Sequence, residues 1–95
     1  MTTAVGRPVG FDLQDSEDSH PIVEAIERDN PDVTVLRLPG LIKLMAPHEL
    51  TVNRSTVETL IGRPWDTYEF QMAIVSYIGD IAEWDEDHIL IRWQH

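Results

Sequence analysis

The sequence predicts an α+β fold, a small single domain with about three helices packed on largely antiparallel β-sheets. Three observations lead there. Ninety-five residues suffice for one hydrophobic core and not for two. Short β-branched and aliphatic runs, broken by proline and glycine, have the form of antiparallel strands. Two capping-box signatures, a small polar residue with glutamate three positions on, mark helix starts among those runs. The predicted order is β-α-β-β-β-α-α-β-β.

Residues 1–8 lack periodicity and are expected to form a mobile N-terminal arm, leaving 9–95 as the domain. A short apolar strand, Val9 to Leu13, opens it. In "DSEDSHPIVEAIERDNP", Asp18 or Ser19 can cap a helix with Pro21 in its first turn and Ile22, Val23 and Ile26 on one apolar stripe. Asn30 followed by Pro31 stops it. "DVTVLRLPGLIKLMAP" then gives a hairpin about Pro39-Gly40, where proline fits the second turn position and glycine supplies positive φ at the third. Leu50 to Val52 is a further short strand.

Ser55 with Glu58 opens a short helix, "STVETLI", that Gly62 closes. Asp66 with Glu69 opens another, and Trp65 and Phe70 stand at staple positions around that cap. The spacing of Phe70, Ala73, Ile74, Tyr77 and Ile78 extends this helix to about Ile78, with Gly79 ending it. Two strands close the chain, Asp80 to Trp84 and His88 to Trp93.

Seventeen acidic against seven basic side chains give a formal charge of −10, which repels nucleic acid and anionic membrane surfaces and favours steered association with another protein. The absence of cysteine excludes disulfides, thiolate metal sites and cysteine nucleophiles. No stretch has the length or apolarity of a signal-peptide core or a membrane span, so a cytoplasmic location is expected.

The closing segment "AEWDEDHILIRWQH" gathers four carboxylates and two histidines. Asp85, Glu86 and Asp87 are adjacent, so their side chains diverge, and the spacing of a calcium loop is missing. His88 and His95 are about 20 Å or more apart along a strand. A solvated turn is the expected reading, with no metal site. His20 and His48 flank prolines at element boundaries without a partner group for acid–base work. None of Ser16, Ser19, Ser55 or Ser76 lies in a nucleophile elbow, and phosphate and dinucleotide loops are missing. Arg63 beside Gly62 suits a helix terminus. No catalytic residue and no cofactor-binding residue is expected.

Some apolar residues exceed what one core needs. Leu36, Leu38, Leu41 and Met45 share the hairpin with Val33, Val35, Ile42 and Leu44, so both strand faces carry apolar side chains. Met72 and Val75 lie off the inward helical stripe. Either the domain covers both faces, or an apolar patch is left for a partner.

The segments "VEAIERDNP", "LPGLIKLMAP", "STVETLIGRPWD" and "IVSYIGDIAEWDEDHILIRW", colinear from about Val9 to Trp93, resemble the regulatory (effector, or coupling) proteins of soluble diiron monooxygenases. The resemblance is closest to the regulatory component of phenol hydroxylases, within the methane monooxygenase regulatory protein B-like family. It implies a cofactor-free, non-catalytic protein that binds a separate diiron hydroxylase and remodels its active site. It also implies joint action with an NADH-dependent reductase, coupling oxygen activation to aromatic hydroxylation. By that resemblance the partner contacts are expected at Met45, Asn53, Met72 and Ser76, with Arg7 in the arm. The alternative class is an acidic α+β adaptor or small-ligand-binding module.

Overall fold

The computed structural model describes residues 7–94. Seven strands and three helices follow in the order β1 (Val9–Gln14), α1 (Ser19–Asp29), β2 (Thr34–Leu38), β3 (Leu41–Ala46), β4 (Glu49–Asn53), α2 (Arg54–Ile61), α3 (Phe70–Ala73), β5 (Ile74–Ile78), β6 (Asp80–Trp84) and β7 (His88–Arg92), with a 3₁₀ turn at Thr67–Glu69 leading into α3. The strands form a four-stranded sheet, β2-β3-β1-β5, and a three-stranded sheet, β4-β7-β6. Every pairing is antiparallel. The expected α+β class and element order hold, with one strand added.

That strand is a correction. The predicted third helix stops at Ala73, and Ile74–Ile78 is β5. Its β-branched and aromatic residues, "IVSYI", carry apolar groups at a spacing compatible with either period. Pairing decides: the free edge of β1 offers β5 a ladder, with Gly10 opposite Ile78, Phe11 opposite Tyr77 and Asp12 opposite Ser76. Ile78, opposite Gly10, therefore turns away from the core, and Tyr77, opposite Phe11 on a strand at the sheet edge, is also exposed. Gly79, at φ 125°, lies between β5 and β6, where a Cβ would sit 3.0 Å from both Val9 and Ile91.

The caps also differ in detail. The Asp66–Glu69 box forms: Tyr68 N–H donates to Asp66, and Asp66 N–H donates to Glu69 at 2.9 Å. The Ser55–Glu58 box does not form, because α2 starts earlier, at Arg54. The Glu58 carboxylate instead accepts the Trp65 N–H at 2.8 Å. At α1 the Asp18 side chain makes no capping bond. Ser16 Oγ accepts the Ser19 N–H at 3.3 Å.

One core serves both sheets. Val9, Phe11 and Leu13 point inward from β1, Ile42 and Leu44 from β3, Leu50 and Val52 from β4, and Ile89 and Ile91 from β7, all fully buried. Phe70 links the layers, edge-on to Phe11 at 5.0 Å and to Trp84 at 6.2 Å. The apolar stripe of α1 joins this core, and α1 packs against β4 and α2. Asn30 secures that packing. Its amide NH₂ donates to the Ile26 and Thr51 carbonyls at 2.8 Å, and its Oδ1 accepts the Thr51 N–H at 3.0 Å. Asn30→Ala removes the partner of both Thr51 backbone groups, while the Ile26 carbonyl keeps the backbone N–H of residue 30, so a loss of about 2 kcal/mol is expected, to be read from urea unfolding midpoints.

Candidate partner-docking surface

Strand register divides the four-stranded sheet into two faces. The positions alternating with Phe11, Ile42 and Leu44 are Gly10, Asp12 and Gln14 on β1, Thr34, Leu36 and Leu38 on β2, Leu41, Lys43 and Met45 on β3, and Ser76 and Ile78 on β5. These eleven share the outer face. It carries five apolar side chains, Leu36, Leu38, Leu41, Met45 and Ile78, of which Leu36 is 52% exposed, Leu38 40% and Ile78 42%. Among the described residues, the choice left open by the sequence thus falls to the uncovered patch. Its two charged residues neutralise each other, Lys43 Nζ meeting Asp12 Oδ1 at 3.1 Å. Ser76 Oγ donates to the other Asp12 oxygen at 2.7 Å. A chain of net charge −10 therefore presents a sheet face without net charge, with apolar side chains around a hydrogen-bonded polar centre.

Met45 lies flat across this face. A Cβ on Gly10 would fall 2.2 Å from Met45 Sδ and 2.6 Å from the Leu44 carbonyl oxygen, so the glycine is what lets the thioether close over the strand. Beyond the sheet end, Met72 on α3 is 81% exposed, and Val75, three residues on in β5, is also exposed.

Of the residues expected to meet a partner, Met45 and Ser76 come together on the outer face, flanking β1. Met72 is a separate exposed point. Asn53 lies on the other sheet, half-buried, donating to Asp29 at 2.9 Å. Arg7 is held at the chain ends, its guanidinium 4.0 Å from the centroid of the Trp93 ring, while Trp93 Nε1–H donates to the Pro8 carbonyl at 3.0 Å. Residues 1–6 of the expected arm lie outside the described residues. Leu36 and Leu38, already apparent as surplus apolar residues, share this outer face with Ile78. Alternation along the hairpin signals the two leucines, but Ile78 required β5 to be known as a strand.

The acidic hairpin between β6 and β7 is more ordered than the adjacency of its carboxylates suggests. Asp85 Oδ1 accepts the backbone N–H groups of Asp87 and His88 at 2.8 and 2.9 Å, and these two bonds hold its carboxyl below the usual range. Register places Glu83 and His88 on the same side. There the imidazole Nε2 contacts Glu83, and Nδ1 lies 3.5 Å from Asp85. Potential metal-ligand atoms of Glu83, Asp85 and His88 lie within 4.8 Å of one another, although both carboxylates are exposed. The hydrogen bond to Glu83 raises the His88 pKa against the opposing effect of burial.

A histidine with a raised folded-state pKa adds stability that is fully present below its unfolded pKa of about 6.5. That stability fades as pH rises through the folded value. His88→Gln should therefore destabilise the protein more near pH 6 than near pH 8.5, as measured by thermal unfolding at both.

The MmoB/DmpM family profile matches residues 7–92. A curated relative is the phenol 2-monooxygenase stimulatory component DmpM of Pseudomonas sp. (strain CF600), 34% identical over 83 residues, covering 87% of this chain and 91% of that protein. Among solved structures, a chain of a phenol hydroxylase–regulatory protein complex is 35% identical with TM-score 0.87, covering 93% of this chain and 100% of that one. The soluble methane monooxygenase regulatory protein B, 21% identical with TM-score 0.72 over 99% of this chain and 70% of that one, shares the fold.

Proposed function

Because the chain belongs to the MmoB/DmpM family, we propose that it is the non-catalytic regulatory subunit of a multicomponent phenol-type monooxygenase. In this role it binds the diiron hydroxylase, remodels that enzyme's active site, and couples oxygen activation and NADH use to aromatic hydroxylation. An NADH-dependent reductase supplies the electrons. The observation that carries the proposal is near end-to-end similarity, at 35% identity, to a chain from a phenol hydroxylase–regulatory protein complex. A cytoplasmic setting fits this role, and among the described residues no helix is long and apolar enough to cross a membrane.

The neutral outer sheet face supports the reading physically. Apolar area at Leu36, Leu38, Met45 and Ile78 supplies affinity on burial, and the Asp12–Lys43–Ser76 centre supplies register without leaving an uncompensated charge. Met72 extends the contact. To activate, the protein needs only to bind the active hydroxylase conformation more tightly than the resting one. A preference of ~3 kcal/mol shifts that equilibrium about 150-fold. No group on this chain needs to touch substrate.

The direct test is steady-state turnover of the cognate hydroxylase and reductase with NADH and phenol while this protein is titrated in. A saturable rise in catechol, with more product per NADH, is expected; unchanged rate and coupling would refute the proposal. Within that assay, Met72→Glu should leave thermal stability nearly unchanged, because Met72 is 81% exposed. It should raise the half-saturating concentration about tenfold through a buried, unmatched charge. Leu36→Glu should act similarly from the sheet face.

A further inference from the structure

A cleft of about 440 Å³ opens where the N-terminal end of α1 meets α2 and α3. Ile22, Val57, Trp65 and Ala73 give it an apolar floor, and each is buried. Three carboxylates, Glu17, Asp18 and Glu69, stand around it. The one cation in its lining, Arg63, is already engaged, 3.7 Å from Glu69 and donating to the Pro64 carbonyl. Glu17 and Asp18 have no ion-pair partner among the described residues. An apolar floor beneath unpaired carboxylates matches one kind of side chain, a long aliphatic stem ending in a positive charge. The cleft also adjoins the sheet face. Gln14, the last residue of β1, belongs to both, and the exposed Met72 lines the cleft.

We infer that this cleft is a second docking point that receives a lysine or arginine side chain of the hydroxylase, the stem on the Ile22–Trp65 floor and the charge against Glu17 and Asp18. The inference rests on the regulatory reading and adds to it the chemistry of the partner's surface. It also gives the acidity of the chain a local purpose. The sheet face contributes neutral apolar contact, while the cleft orients the encounter and makes association sensitive to salt.

Charge position separates this from a general effect of net charge. Glu17 is exposed and outside the helices and strands, so its replacement tests docking and not folding. Glu27 lies on α1 in a different groove, beside Arg37. Binding of each variant to the hydroxylase would be measured by titration calorimetry at low and high salt. Glu17→Lys should weaken binding about fivefold at low salt. Glu17→Gln should have a smaller effect, Glu27→Lys should cost less than about twofold, and the differences should shrink at high salt. Equal losses for Glu17→Lys and Glu27→Lys, or none for either, would overturn the cleft inference while leaving the regulatory role standing. Failure of the unaltered protein to bind would overturn both.

Discussion

The structure depends on a shortage of covering material. Two sheets and three helices must be built from 95 residues, and two of the helices have eight residues or fewer. The sheets solve this by sharing one core, with the inward residues of β1 and β3 packed in the same cluster as those of β4 and β7. Helix α1 seals that core from one side. What remains is an outer sheet face with no comparable cover among the described residues, where Leu36, Leu38 and Ile78 stay exposed. β1 bears the largest share of the consequences. It lies inside the larger sheet between β3 and β5, so one strand carries buried Val9, Phe11 and Leu13 on one side and Gly10, Asp12 and Gln14 on the other.

That division explains how a highly acidic chain can offer an apolar surface. Asp12 and Lys43 are placed opposite each other by register and are both partly shielded, with 14% and 31% of their side-chain surface exposed. Pairing removes the cost of bringing either charge into an interface alone. Unpaired carboxylates lie elsewhere, at the cleft beside α1 and along exposed turns. Affinity and orientation are thereby assigned to different parts of the molecule in the regulatory role proposed above. Such a division suits a protein that must associate with a large enzyme quickly and bind one of its conformations selectively.

Legibility of the sequence followed the range of the interactions involved. The Pro39-Gly40 turn, Gly62 as a left-handed helix stop and the Asp66–Glu69 capping box were all readable, because each is settled within a few residues. The Ser55–Glu58 box has the same signature, yet Glu58 is drawn away to the Trp65 N–H. Asn30 reads as a simple helix stop. Its larger role, bonding both backbone groups of Thr51, spans 21 residues and leaves no local mark. The candidate surface was half legible for the same reason. Met45 and Met72 stand out as apolar residues beyond the needs of the core, whereas the joining of Met45 and Ser76 across β1 needs strand register. Similarly, Glu83, Asp85 and His88 converge only because the hairpin aligns alternate residues on one side.

Local chemistry in the chain was enough to determine an α+β domain, the places of most turns and helix starts, the exclusion of thiol chemistry and, through colinear motifs, the family. Tertiary structure alone decided the state of Ile74–Ile78, which of the two hairpin faces is buried, and where charge is neutralised. The physical reason is that a period of apolar residues specifies a preference, while a neighbouring strand edge supplies the hydrogen bonds that settle it. In this chain that edge belongs to β1, more than sixty residues away from β5 in sequence, and its pairing creates the outer sheet face.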